Sequence, residues 1–481
     1  MKKQVFNPYL PNDEYIPDGE PKVFGDRVYV YGSHDRFNGD FYCVNDYVGY
    51  SAPVDDLSDW WFEGVIYKKD QDPLNPEGKF NMFAPDVVQG QDGRFYMYYG
   101  MDFINQISVA VADQPEGPFE YYGAVHHPEG TLLGEKSTDA FQFDPGVLVD
   151  EDNRVWLYTG FGPNEAFREM FAEHFGQTLG ECGNYVTELE ADMLTVKTAP
   201  VQLIPNTWDS EGTDFEGHAF YEASSIRKFH GKYYFIYSSE LSHELAYAIS
   251  DYPDKGFIYG GSLHSNGDIG FQGNTEEVNY WGNNHGSVAC INGEYYIFGH
   301  RQTNYTEFSR QGVAEKLLMT ADGRFEMAEM TSCGLNQGPL RGTGSYPAAI
   351  ACQLYSGSGA LKSTEVSEKE EHPCFTQEKD DSQNNPSQYI HNLKDGSVAG
   401  FKYFHFDDLD SLSVTTRGPG KGLLGVYTEL EKAPIAKIHV SPSPEWQTFE
   451  ANVSDSVVGE KPLFFRYEGM GTIDFKAFAL G

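Results

Sequence analysis

Five ionisable residues head five similar segments of this 481-residue chain: Asp18, Asp86, Asp144, Glu222 and His285. The segments read DGEPKVFGDRVYVYGS, DVVQGQDGRFYMYYG, DPGVLVDEDNRVWLYTG, EASSIRKFHGKYYFIYSS and HGSVACINGEYYIFGH. Each continues as a short strand, a turn and an aromatic strand. The leading residue precedes Tyr29, Tyr96, Trp156, Tyr234 and Tyr296 by 11, 10, 12, 12 and 11 residues in turn. One aspartate before one strand is ordinarily a turn former. Five polar residues at nearly matched offsets indicate a shared site. Carboxyl groups gathered at one point repel, shift each other's pKa and so become suited to acid–base chemistry.

The elements that must position these residues follow from the repeat. Gly25-Asp26, Asp92-Gly93, Asp152-Asn153, His230-Gly231 and Asn292-Gly293 supply hairpin turns. Aromatics at 15% and 51 glycines suit many strands joined by tight turns. Five β-sheet units in series predict a five-bladed β-propeller over residues 1–345, with the inner strand of each blade facing a central channel. The five leading residues would then converge at one end of that channel. Between Ala166 and Gly180, the spacing of Phe167, Met170, Phe171 and Phe175 predicts a helical insertion over one face. From residue 346 the pattern changes. A polar loop is expected over 367–388, followed by short alternating runs from SVAGFKYFHF to TIDFKAFAL. These predict a β-sandwich of jelly-roll type over 346–481. The fold class is therefore all-β: a five-bladed β-propeller followed by a β-sandwich.

Composition narrows the partners. The formal net charge of −38 argues against nucleic acid and against an anionic membrane surface. No apolar run approaches the roughly 18 residues of a membrane span. The six cysteines lie far apart without CxxC spacing and read as free thiols of a reducing compartment. MKKQVFNPYLPND carries no apolar stretch of a secretory signal, so a cytoplasmic location is expected.

Over about residues 5 to 345 the motifs resemble glycoside hydrolase family 43. They are NPYLPNDEYIPDGEP, MFAPDVV, FDPGVLVDED, YEASSIRK, NNHGSVA and SRQGVAEKL. The resemblance implies an inverting enzyme acting on arabinose- and xylose-containing glycans. It puts Asp18 at the catalytic base, Glu222 at the general acid and Asp144 at the carboxylate that tunes the acid. It also implies a calcium ion in the central channel near His285, and no organic cofactor. Arg310 falls where an arginine contacts the sugar, with Arg301 a second candidate. Asp86 reads either as a substrate-hydroxyl contact or as a structural turn. His285 equally reads as a core histidine, and Arg310 as an ordinary strand charge. Two departures stand out: Ala223-Ser224 replaces Gly-Pro after the acid, and Asp18-Gly19-Glu20-Pro21 replaces Asp-Pro-Ser. The repeat offset still favours Asp18 over Asp13, Glu14 and Glu20.

Inverting hydrolysis needs one protonated and one ionised carboxyl group, about 6.5–9.5 Å apart, with a water between base and sugar. Phe220 and Tyr221 would desolvate Glu222, and a charged Asp144 would raise its pKa further. Phe83 is the first candidate for an aromatic platform under a sugar face; Phe37 and Trp61 are weaker ones. The C-terminal part resembles a family 6 carbohydrate-binding module. It would either bind sugar or brace the propeller and wall the pocket, and the second is favoured. The activity implied is α-L-arabinofuranosidase, releasing side chains from arabinoxylan or xylo-oligosaccharides. β-Xylosidase or dual activity is the alternative. A non-catalytic sugar-binding propeller would have no use for axial carboxyls of opposed protonation. A phosphorylase would need a basic phosphate site, and no Lys/Arg cluster provides one.

Overall fold

Apolar–aromatic strands broken by left-handed turn residues give four antiparallel meanders of four strands and a fifth of three. The computed structural model describes residues 3–175, 178–381 and 386–481. Blade I begins with Glu20–Phe24, blade II with Met82–Gln89, blade III with Gly146–Val149, blade IV with Phe220–Phe229 and blade V with Val288–Ile291. These five are the inner strands of a five-bladed propeller. The turns take the conformation their residues favour: His230-Gly231 and Asn292-Gly293 have positive φ at both positions, as a tight hairpin twisted like its strands requires.

Tyrosine supplies much of the packing between blades. Tyr31, Tyr47, Tyr67 and Tyr99 are buried together. Their hydroxyls stay satisfied: Tyr31 donates to Pro115 O at 2.7 Å, and Tyr99 donates to Asp72 at 2.7 Å while sharing a 2.8 Å bond with Tyr67. Burying such rings gains apolar contact without orphaning the phenol. The N-terminal segment closes the ring. The Asn7 amide donates to Ala314 O at 3.0 Å and accepts from Ala314 N–H at 2.9 Å, which ties it to the outer strand of blade V.

The expected helix forms as α1 (Glu165–Phe175). Asn164 caps it, its side-chain oxygen accepting the Phe167 N–H at 2.9 Å. Phe167 packs on Phe161 and Phe171 on Phe103.

The C-terminal part is a sandwich of two six-stranded sheets over a Phe-rich core that includes Phe401, Phe404, Phe465, Phe475 and Phe478. Two expectations shift. Gly344–Pro347 already pairs with Ile473–Leu480, and Leu340–Arg341 with Val398–Phe406, so the sandwich begins near residue 340 rather than 346. Within the expected polar loop, Cys374–Gln377 forms a strand against Gln388–Leu393. Four residues beside a charged run carry too short an alternation to be seen in sequence. All six cysteines are free. Among the described residues no helix is long and apolar enough to cross a membrane.

Candidate active site

Four of the five inner strands carry a backbone distortion at or near their channel end. Asp18, Ala84, Asp144 and Ala223 all have left-handed φ, at 59°, 31°, 43° and 67°. None is glycine, so each carries backbone strain, and such strain gathers at functional sites. In blade IV the register with the next strand slips on both sides of Glu222. That bulge re-aims the Glu222 side chain, as bulges beside active sites do. The result is a cleft of about 500 Å³ lined by Asp18, Asp144, Glu222, His285 and Arg310, with Phe83 on its wall.

The electrostatics separate these carboxyl groups. Asp18 is buried, which opposes ionisation, but Arg310 at 3.0 Å, His300 at 3.3 Å and His285 at 3.9 Å outweigh that. Its carboxyl is held well below the usual carboxylate range. For Glu222 the downward pull of Arg310 does not offset the opposing effects. Burial and then the negative charge of Asp18 push it up to about 8, with Glu307 adding a smaller push. Asp144 accepts the Ala223 N–H at 3.0 Å, which ties it to the residue after Glu222. Burial, Glu222 and Asp18 also raise Asp144 well above its ordinary value. A permanently charged Asp144 beside a protonated Glu222 was expected. Instead Asp144 is itself raised, by burial and then by Glu222, and both groups retain protons where free carboxylates have lost them. Burial pulls His285 down to about 4, so its ring is neutral beside Asp144, 3.6 Å away.

Other candidates fall elsewhere. Arg310 does line the cleft, but its guanidinium is engaged bidentately by Asp35, at 2.8 and 3.0 Å, and by Asp18. These contacts hold its guanidinium against Asp18 and Asp35 at the cleft wall. Asp86 is fully buried and does not line the cleft. Its oxygens accept the Val87 and Val147 N–H groups, both at 2.8 Å, and pair with Lys22 at 2.7 Å. This supports its structural reading over the substrate contact. Arg301 donates to Ala349 O and Gln311 and covers Phe375, at the junction with the sandwich. Phe37 packs on Tyr15, and Trp61 stands exposed on the outer strand of blade I under Arg27. Neither lines the cleft.

Sequence reasoning missed Asp35, Tyr42 and Glu307, and it expected a wall from the C-terminal part without naming its residues. Tyr42 donates to Glu307 at 2.8 Å and Ser363 donates to it at 3.1 Å. Lys362, Ser363 and Thr364 line the cleft, so the chain beyond the propeller does wall the pocket. No repeat or motif marks these residues; only the fold brings them in.

The channel behind the cleft bears on the calcium expectation. Calcium takes six to eight oxygen ligands. Among the described residues no group of three or more His, Cys, Asp or Glu is placed to hold a metal ion. Just below the cleft, Glu20 pairs with Arg227 at 2.5 Å and Asp86 with Lys22. The carboxylates that could charge a cation site are already neutralised by the protein's own cations. The side chains around His285 therefore do not fit a directly ligated calcium ion.

A propeller whose axial carboxyls are divided into one held ionised and one that retains its proton has the two protonation states that glycoside hydrolysis needs. The model of glycosyl hydrolases family 43 matches residues 21–325, and the chain belongs to that family. It is 48% identical over 485 residues to a xylosidase/arabinosidase of Thermoclostridium stercorarium, covering 100% of this chain and 99% of that one. A xylosidase/arabinosidase 43A of Humicola insolens is 30% identical over 313 residues, covering 60% of this chain and 88% of its own. In fold, the chain matches the family 43 arabinoxylan arabinofuranohydrolase of Bacillus subtilis, solved with cellotetraose. The TM-score is 0.51 at 20% identity, over 98% of this chain and 97% of that one.

Proposed function

We propose that this enzyme is an inverting exo-glycosidase that releases terminal α-L-arabinofuranosyl residues from arabinosylated xylo-oligosaccharides. The observation that carries the reading is the split between Asp18 and Glu222 in one cleft. Asp18 is held ionised by Arg310 and His300, and Glu222 is held protonated by burial. Asp18 removes a proton from water on one face of the sugar, and Glu222 delivers one to the leaving oxygen on the other. Asp144, which accepts the N–H of Ala223, fixes the position of the chain beside the acid. The aromatic wall and the Lys362–Thr364 segment limit the cleft to a terminal sugar. Relatives named xylosidase/arabinosidase support β-xylosidase as a second activity of the same cleft.

Proton NMR on an arabinosylated xylo-oligosaccharide tests this directly. The first sugar released should be arabinose, in the β configuration before mutarotation. Xylose released first from the non-reducing end would make the second activity the principal one. A retained anomer would remove the water-mediated scheme.

A further inference from the structure

A second cavity, of about 640 Å³, lies beside the catalytic cleft, and Phe103 lines both. Its walls come from the loops of blades I to III and from the helical insertion. Phe41, Phe80, Phe103, Phe141 and Phe171 form its apolar faces, and Asn81, Asp102 and Asn105 its polar groups. The size is that of a small-ligand site. The ring of Phe103 stacks on Phe143 of the cleft wall, with planes 1° apart, and meets Phe171 edge-on. One aromatic cluster thus runs from Tyr221, beside the acid, to the second cavity.

The cavity's chemistry is more specific than a packing gap. Asp102 has left-handed φ, and its Oδ1 is buried with no hydrogen-bond partner. A buried acceptor left unpaired is costly, and a donor from a ligand removes that cost. No Lys or Arg lines the space, and a carboxyl group does, so an anionic ligand is disfavoured. Aromatic faces joined to a carboxylate and two amides suit a neutral polyhydroxylated ring, with its C–H face on phenylalanine and a hydroxyl on Asp102.

We propose that this cavity is a carbohydrate subsite that receives the xylose chain to which the released sugar is attached. The proposal rests on the glycosidase reading above and assigns the neighbouring space to the rest of the same substrate. Burial pushes the Asp102 carboxyl up to about 6, so its acceptor strength changes across mildly acidic pH.

The test compares an aryl α-L-arabinofuranoside, which cannot reach the second cavity, with an arabinosylated xylotetraose. Phe80→Ala and Asp102→Ala should lower kcat/KM about tenfold on the oligosaccharide, through KM, and leave the aryl substrate within twofold. Phe80 is 38% exposed, so its removal spares the core. Thr178→Trp, placed at the rim to fill the space, should act in the same direction. Equal losses on both substrates, or none on either, overturn the subsite. Calorimetric titration of Glu222→Gln with xylotetraose reads the cavity without turnover. Binding weakened about tenfold by a second substitution, Phe80→Ala, supports the subsite even if the wild type cleaves no arabinoside, a result that would defeat only the proposed function. Binding indifferent to Phe80 overturns the subsite while leaving the catalytic reading intact.

Discussion

Two layers of the same channel, two residues apart along the inner strands, handle charge in opposite ways. The upper layer holds Asp18, Asp144 and Glu222 with the single guanidinium of Arg310, which is itself shared with Asp35. Carboxyl groups are in excess there, and Asp144 and Glu222 retain protons. The lower layer holds Glu20 and Asp86, with Ser225 donating to Glu20 and bonded to Ser287. Lys22 and Arg227 reach up from the next step to neutralise it. Side chains on one strand face repeat every second residue, roughly 6.6 Å apart. One such step converts a reactive acid cluster into an internal brace. An inner-strand carboxylate therefore takes its role from the cation within reach, and its place in a repeat is not enough to assign it.

The largest expected effects lie in the upper layer. Asp18→Asn and Glu222→Gln should each lower kcat/KM on oligosaccharides by about 10²–10⁴-fold. They separate on aryl glycosides with a good leaving group, which needs little protonation. There Glu222→Gln should recover much of the loss and Asp18→Asn should not. The wild-type kcat/KM should fall above about pH 8, where Glu222 ionises, and the Glu222→Gln profile should lack that limb. The sign for stability follows. Between the ordinary glutamate range and about pH 8 the native state keeps a proton that the unfolded chain has lost. Stability contributed by this group therefore falls as pH rises through that window. Equal behaviour of the two variants on both substrate types would break the division of roles.

In the lower layer the same kind of substitution should act on stability. Asp86→Asn leaves Lys22 buried without its partner, and breaking such a pair costs about 3–5 kcal/mol. The denaturant midpoint should drop accordingly. At temperatures where the variant is folded, kcat should stay near wild type. A loss of kcat as deep as that of Asp18→Asn, with the midpoint unchanged, would return Asp86 to the catalytic layer.

The misplacement of Asp86 shows how far the repeat could be read. The five units, their turns and the convergence of Asp18, Asp144, Glu222 and His285 were legible because strand period and turn chemistry are local. The signal against Asp86 was also present. It precedes Tyr96 by ten residues, whereas Ala84 precedes it by twelve, matching Asp144 and Glu222 in their own blades. Ala84 also shares the left-handed backbone of Asp18 and Asp144. Ala84 is therefore the blade II counterpart of the catalytic residues, and Asp86 that of Glu20. Glu307, Tyr42 and the Lys362–Thr364 wall could not be found this way. Glu307 lies at the start of the outer strand of blade V and the others stand on loops, and their approach to one another depends on how blades and sandwich pack. The Arg310–Asp35 pair belongs to the same kind: a guanidinium is easily noticed, but its partner 275 residues away is fixed only by the fold.

The lower layer yields the smallest but most discriminating expectation. Two carboxylates and two cations in one buried network leave no net charge for a bound ion to neutralise. EDTA should therefore leave the wild-type melting temperature and kcat unchanged. Lys22→Met removes one of the cations while keeping most of the side-chain volume. Asp86 and Glu20 would then share Arg227 alone, in a space lined by carboxylate and serine oxygens suited to a hard cation. That variant should be less stable without metal and regain part of the loss in millimolar calcium. A wild type destabilised by EDTA would show that an ion is held despite the internal cations, through waters rather than side chains. A Lys22→Met variant indifferent to calcium would show that the two carboxylates settle the excess charge by taking up a proton, as Asp144 and Glu222 do one layer above.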